Sequence, residues 1–160
     1  HGYKTLEDNT EIFYMMDELG YSSEKVKKIL QQESGMLGLT GYSDLREIET
    51  KAEQGDKTCL LALRMNAYRV KKYIGAYISA MNGLDALVFT AGIGENSSVI
   101  RELVCDHMDY LGISLDHQKN MIRAKGIREI QSEESRVKIL IIPTNEEIEI
   151  AIQSYELMVE

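Results

Sequence analysis

Two apolar runs constrain the fold of this chain more than any other feature: "LDALVFT" (Leu84–Thr90) and "VKILII" within Arg136–Ile142. Each is short, nearly continuous and bounded by turn residues, the pattern of a strand covered on both faces of a sheet. A segment with helical spacing separates them, which makes them parallel. Their C-terminal ends then share one side of the sheet, where open α/β sheets take ligands. One end delivers "TAGIGEN" (Thr90–Asn96) and the other delivers "TNEE" (Thr144–Glu147).

Helical patterns fill the rest. Ile12, Phe13, Met16 and Leu19 predict a helix over about Thr10–Leu19, stopped by Gly20. Ser22 or Ser23 caps a second one reaching Leu30. "SGMLGLTGYSD" (Ser34–Asp44) is dense in glycine and reads as loop, with a short helix starting near Asp44. From Asp56 the apolar residues Leu60, Leu63, Ala67, Val70, Ile74, Tyr77, Ile78 and Met81 keep a three-four spacing, predicting one long helix that Asn82-Gly83 ends. Gly75 inside it costs about 1 kcal/mol relative to alanine, tolerable where something packs closely there. After the first strand, Ile100, Leu103, Val104, Met108 and Leu111 predict a helix, and Asp116 caps another reaching Gly126. Pro143 ends the second strand. A final helix spans Thr144–Glu160, with Ile148, Ala151, Ile152, Tyr155 and Met158 on one face and a Thr144/Glu147 capping box at its start. The fold class is α/β, a helical first half followed by strand–helix–strand–helix, in a single domain over residues 1–160.

At 160 residues, with 44% hydrophobic and 28% charged residues, the chain can bury a core. A formal charge of −8 argues against nucleic acid as a partner. No apolar run approaches the roughly 20 residues of a membrane helix, and the N-terminus lacks a signal peptide's apolar stretch. Cys59 and Cys105 sit in amphipathic patterns without metal spacing and read as buried free thiols in the cytoplasm.

The chemistry at the shared rim is that of a nucleotide and Mg²⁺. Gly92 and Gly94 let ligand atoms approach backbone. Asn96 caps the following helix, whose N–H groups favour negative charge. A carboxylate such as Glu146 suits Mg²⁺, a hard ion that keeps several waters. Taken singly, each feature has a plainer reading. Gly-x-Gly serves tight turns, Glu146 and Glu147 serve as first-turn carboxylates, and Asp44 and Arg46 serve as a helix cap and a surface cation. His107 and His117 lie on helical stretches without a paired nucleophile.

"ESGMLGLTGYSDLREIE" (Glu33–Glu49), "KKYIGAY" (Lys71–Tyr77), "LDALVFTAGIGENS" (Leu84–Ser97), "RELVCDHMDYLGISLD" (Arg101–Asp116) and "IPTNEE" (Ile142–Glu147) together resemble the C-terminal part of the acetate kinase family, the acetate/propionate/butyrate kinases. The likeness runs from about Ile12 to the C-terminus. It implies a partial lobe of the ribonuclease H-like, actin-like ATPase fold. It also implies that Asp44, Leu45 and Arg46, together with Gly92, Ile93, Gly94, Glu95 and Asn96, contact ATP or ADP, and that Glu146 serves Mg²⁺. "GYSDLR" is one residue shorter than the commoner family form.

The same likeness sets expectations about what these residues do not carry. The family's phosphoryl-stabilising arginine, in a Thr-Arg-Ser-Gly-type segment before the first helix, has no counterpart in "HGYKTLEDN", and the first arginine of the chain is Arg46. His1–Asn9 reads as a divergent or foreign lead-in. The family's acid–base groups and acyl pocket belong to an N-terminal lobe expected upstream. The expected activity is transfer of phosphate from ATP to a short-chain carboxylate, giving an acyl phosphate and ADP, with the isolated chain inactive. The alternative is a non-catalytic nucleotide-binding or interaction module. An exposed edge of Leu84–Thr90 or Arg136–Ile142 invites self-association, including a homodimer.

Overall fold

The computed structural model describes residues 6–144 and 146–159, with the side chains of these residues except 6–10, Glu146, Glu147, Glu149, Glu156 and Val159. The described chain divides into two compact units, residues 1–62 and 63–160. His1–Thr5 of the expected lead-in lie outside the described residues, and the first helix, α1, already begins within it at Leu6 and runs to Asp17.

In the first unit, helix α2 (Ser23–Gln32) starts where Ser22 Oγ accepts the N–H of Lys25 at 3.2 Å. Val26 is its buried anchor. On α1 Ile12 and Met15 are half-buried while Phe13, Met16 and Leu19 are exposed, so of the four expected apolar positions Ile12 alone is covered.

The stretch expected as loop contains a short helix, α3 (Gly35–Thr40). Glycine density misled the reading because these glycines act at the helix ends and in its packing. Gly41 closes α3 in the left-handed conformation at φ 79°, and a Cβ on Gly38 would lie 2.7 Å from the Glu33 carbonyl oxygen. Helix α4 (Leu45–Glu53) follows, as the Asp44 cap implied, and buries Ile48.

Helix α5 (Lys57–Met81) has the expected extent. Its apolar stripe is buried only in the N-terminal half, at Cys59, Ala62, Leu63 and Ala67, whereas Val70, Tyr77 and Met81 are exposed. Gly75 has no close neighbour: a Cβ there would meet nothing within 4 Å.

The second unit carries the sheet. Strand β1 (Ala86–Phe89) leads into α6 (Ala91–Asn96) and α7 (Ser98–Cys105). The helix expected to reach Leu111 ends earlier. His107 takes φ 53°, and a single 3-10 turn covers Asp109–Leu111. Helix α8 (His117–Met121), capped by Asp116 accepting from Lys119 N–H, stops short of the expected Gly126. A two-residue strand, β2 (Arg128–Glu129), was not foreseen; two residues are too few for a period-2 signal. Strand β3 (Lys138–Ile141) and helix α9 (Glu146–Val159) complete the chain.

The strand order is β1–β3–β2. β1 and β3 are parallel, in register from Ala86 opposite Lys138 to Phe89 opposite Ile141. β2 runs antiparallel on the other side of β3. Of the two runs expected to offer an edge, β1 does so among the described strands, and β3 is central. Full cover of both faces does not hold. Ile139 and Ile141 are buried, but Lys138 is exposed, and Val88 on β1 is 45% exposed. The core of this unit adds Phe89, Ile100, Val104, Met108, Ile113, Ile130 and Val137. The expected inner face of α9 is open, with Ile148, Ile152, Tyr155 and Met158 all exposed.

Candidate functional site

Parallel pairing puts Phe89 level with Ile141, so the two strands release the chain at one rim of the sheet. Ile142 N–H still bonds Phe89 O at 2.9 Å before the paths diverge. After β1, Thr90 is extended at φ −148°, and Ala91 turns sharply into φ 57°. A left-handed alanine is uncommon and strained on the order of 1–2 kcal/mol.

"TAGIGEN" is therefore not an open glycine loop but the helix α6. Ser97 N–H closes it on Ile93 O at 2.9 Å. Its two glycines serve different ends. A Cβ on Gly92 would meet nothing within 4 Å, leaving the backbone there open to a ligand. A Cβ on Gly94 would lie 3.2 Å from the Phe89 carbonyl carbon, so that glycine lets α6 pack onto the strand. Ile93 is half exposed.

Asn96 does not cap the following helix. Its Nδ2 donates back to Gly92 O at 2.8 Å, and the cap of α7 is Ser97, whose Oγ accepts Ile100 N–H at 2.9 Å. The serine wins by position. It is the extended residue immediately before α7, whereas Asn96 still belongs to α6.

Glu95 points across the rim. One of its carboxylate oxygens accepts both the backbone N–H of Thr144 at 2.8 Å and the Thr144 hydroxyl at 3.1 Å. The exit of β1 is thus tied to the exit of β3. Glu146 opens α9 two residues beyond Thr144, and its side chain lies outside the described residues, as does the Glu147 side of the expected capping box. Among the described residues no cluster of three or more His, Cys, Asp or Glu side chains forms a ready metal cage.

Asp44, Leu45 and Arg46 belong to the first unit. Asp44 caps α4 by accepting Arg46 N–H at 2.9 Å, and the Arg46 guanidinium grips the same carboxylate at 3.1 and 2.6 Å. These hydrogen bonds hold the Asp44 carboxyl down at about 2. Leu45 is half-buried as the first residue of α4.

Arg101 escaped the sequence reading. It is 2% exposed on α7, whose other buried residues are Ile100, Val104 and Cys105. A cation on an otherwise apolar stripe was the available signal. A separate cleft of about 540 Å³ lies along α7 and is lined by residues including Glu102, Cys105, His107 and His117. It shares no lining residue with the rim. His117 Nδ1 sits 3.2 Å from Glu102, and burial pushes the Cys105 thiol up to about 12, which makes it inert as a nucleophile.

Comparison with known proteins gives the rim a lineage. Residues 7–152 match the model of the acetokinase family. Acetate kinase of Flavobacterium johnsoniae is 61% identical over 151 residues, covering 94% of this chain and 38% of that relative. Acetate kinase of Carboxydothermus hydrogenoformans is 50% identical over 152 residues, covering 95% of this chain and 38% of that protein. The crystal structure of Porphyromonas gingivalis acetate kinase superposes with a TM-score of 0.84 at 38% identity, over 94% of this chain and 38% of its own. A propionate kinase from Francisella tularensis gives 0.80 at 39% identity, over 88% of this chain and 36% of its own. The chain thus spans a little over a third of the length of these relatives, and over that span it has their actin-like ATPase fold. It belongs to the acetokinase family.

Proposed function

We propose that this chain supplies the nucleotide side of a cytoplasmic kinase that phosphorylates a short-chain carboxylate, acetate and ATP giving acetyl phosphate and ADP. The observation that carries the reading is the Glu95–Thr144 link, which brings the α6 helix and the start of α9 to one rim. Gly92, Ile93 and Asn96 are exposed on α6 and Gly94 is half-buried against Phe89; Gly92 leaves room for a nucleotide. For Asp44, Leu45 and Arg46 the same role is proposed on the family likeness alone.

Mg²⁺, when bound, neutralises charge on the phosphates. Glu146 would hold it, directly or through water, at the head of α9. The part of these residues in catalysis is positioning and charge neutralisation. Proton transfer and stabilisation of the transferring phosphoryl group are assigned to segments outside these 160 residues. For the proposed homodimer, β1, an edge strand among the described residues, is the candidate pairing surface.

The test is acyl phosphate formation, trapped as the hydroxamate, from acetate, propionate or butyrate with ATP and Mg²⁺. The full natural chain carrying these residues should form it, and the 160-residue chain alone should form negligible amounts. Robust turnover by the short chain contradicts the division of labour. ATP binding without acyl phosphate in the full chain favours a non-catalytic nucleotide-binding module.

A further inference from the structure

The proposed chemistry leaves Arg101 without a task, yet it makes one of the densest hydrogen-bond sets in the second unit. Its Nη1 donates to Gly94 O at 2.8 Å and to Glu95 O at 3.0 Å. Its Nε donates to Asn120 Oδ1 at 2.7 Å and its Nη2 to Asn120 O at 2.9 Å. Asn120, 1% exposed, is itself fixed by donating from Nδ2 to Ser98 O at 3.0 Å.

The carbonyls of Gly94 and Glu95 belong to the last turn of α6, where a helix runs out of its own N–H donors. A six-residue helix has little else to hold its shape. The planar guanidinium offers donors in fixed directions to several acceptors at once, which a lysine ammonium on a flexible stem does not. Burial strengthens these charge-assisted bonds. From the other side, the Glu95 carboxylate receives two donors from Thr144. The Gly94–Glu95 backbone is therefore held from the core, and the Glu95 side chain is held from the exit of β3.

We propose that Arg101 and Glu95 are positioning residues that set α6 from opposite sides: Arg101 through the Gly94 and Glu95 carbonyls, and Glu95 through Thr144. In this assignment the Glu95 carboxylate serves the protein rather than the nucleotide. It couples the placement of Gly92, where the ligand approaches, to the placement of Thr144, which fixes where α9 and Glu146 begin. The assignment rests on the reading that this rim receives a nucleotide.

The experiment measures the Mg·ATP dissociation constant and the exchange rate of the Thr144 amide in the full natural chain. Glu95→Ala should weaken Mg·ATP about tenfold, the scale of one charge-assisted hydrogen bond, and speed exchange at Thr144. Glu95→Gln keeps an acceptor oxygen and should restore most of both. Arg101→Lys should weaken binding about tenfold or more. Combined with Glu95→Ala it should cost less than the product of the two, because both act on one element. Should the arginine variant fail to fold, the Glu95 pair at the rim still decides. Glu95→Gln as harmful as Glu95→Ala, with Thr144 exchange unchanged in both, overturns the assignment in favour of a direct ligand contact. Variants that leave a measurable wild-type affinity within twofold overturn it alone. A wild-type chain that does not bind Mg·ATP overturns the nucleotide reading and this assignment with it.

Discussion

Glu95 accepts the backbone N–H of Thr144 at 2.8 Å, joining the exit of β1 to the exit of β3 across 49 residues of sequence. The bond exists because the parallel register sets Phe89 opposite Ile141, so both exits occur at one height. A one-residue slip would turn Ile139 and Ile141 out of the core and carry Thr144 away from Glu95. The same burial that fixes the sheet fixes the rim.

Gly94 and Gly92 should behave differently on substitution. Gly94→Ala places a methyl 3.2 Å from the Phe89 backbone, too close for the strand to yield easily. The expected cost is about 1–3 kcal/mol, the range for overpacking. Gly92→Ala meets open space and should be neutral or stabilising by up to roughly 1 kcal/mol, as alanine favours a helix. Urea midpoints with unchanged slopes check both. Equal effects at the two positions would contradict the packing role of Gly94.

Asp44 should give an acid limb to stability. Its carboxyl falls from an ordinary 3.8 to about 2 in the folded chain, through hydrogen bonds from the Arg46 side chain and N–H. A lowered carboxylate contributes stability that is fully present above its unfolded value and is lost as the pH falls through its folded value. The contribution should therefore fade between about 4 and 2. Asp44→Asn keeps a capping oxygen but cannot ionise. Its deficit in urea midpoint relative to wild type should be small at neutral pH, since the pair is exposed, and should vanish toward pH 2. A deficit that grows with acid would sink the assignment.

The two thiols should be silent in the folded state. Burial pushes Cys105 up to about 12, and burial, reinforced by Asp56, raises Cys59. Iodoacetamide at pH 8 should label neither until urea unfolds the chain. Unfolding should then expose both cysteines of the sequence, Cys59 in the first unit and Cys105 in the second. Rapid labelling of native protein would show that the packing around α7 or the start of α5 is wrong.

What the sequence made legible were features carried by periodicity and by single capping residues. The parallel strand pair, the length of α5, and the Ser22, Asp44 and Asp116 caps depend on local chemistry, and each is present. Features that depend on distant partners were misread. Glycines from Ser34 to Asp44 looked like loop, although Gly38 is a glycine because Glu33 O lies against it. Asn96 looked like a cap because its bond to Gly92 is invisible until α6 is known to be helical. Ile148, Ile152, Tyr155 and Met158 of α9 and Val70, Tyr77 and Met81 of α5 are exposed, so amphipathic spacing alone overstated their burial. Arg101 was passed over because a charge reads as surface. Its acceptors, the carbonyls of Gly94, Glu95 and Asn120 and the Asn120 side chain, explain why this one is buried.

The most direct test of the rim is Mg·ATP calorimetry on the full natural chain carrying Gly92→Val. A Cβ at this position meets nothing within 4 Å, and valine is no poorer a helix former than glycine, so stability should hold. It would fill the approach to α6 proposed for the nucleotide. The expected result is an unchanged urea midpoint with Mg·ATP affinity weakened at least about tenfold, equivalent to about 1.4 kcal/mol. An unchanged affinity in a normally folded variant would place the nucleotide elsewhere.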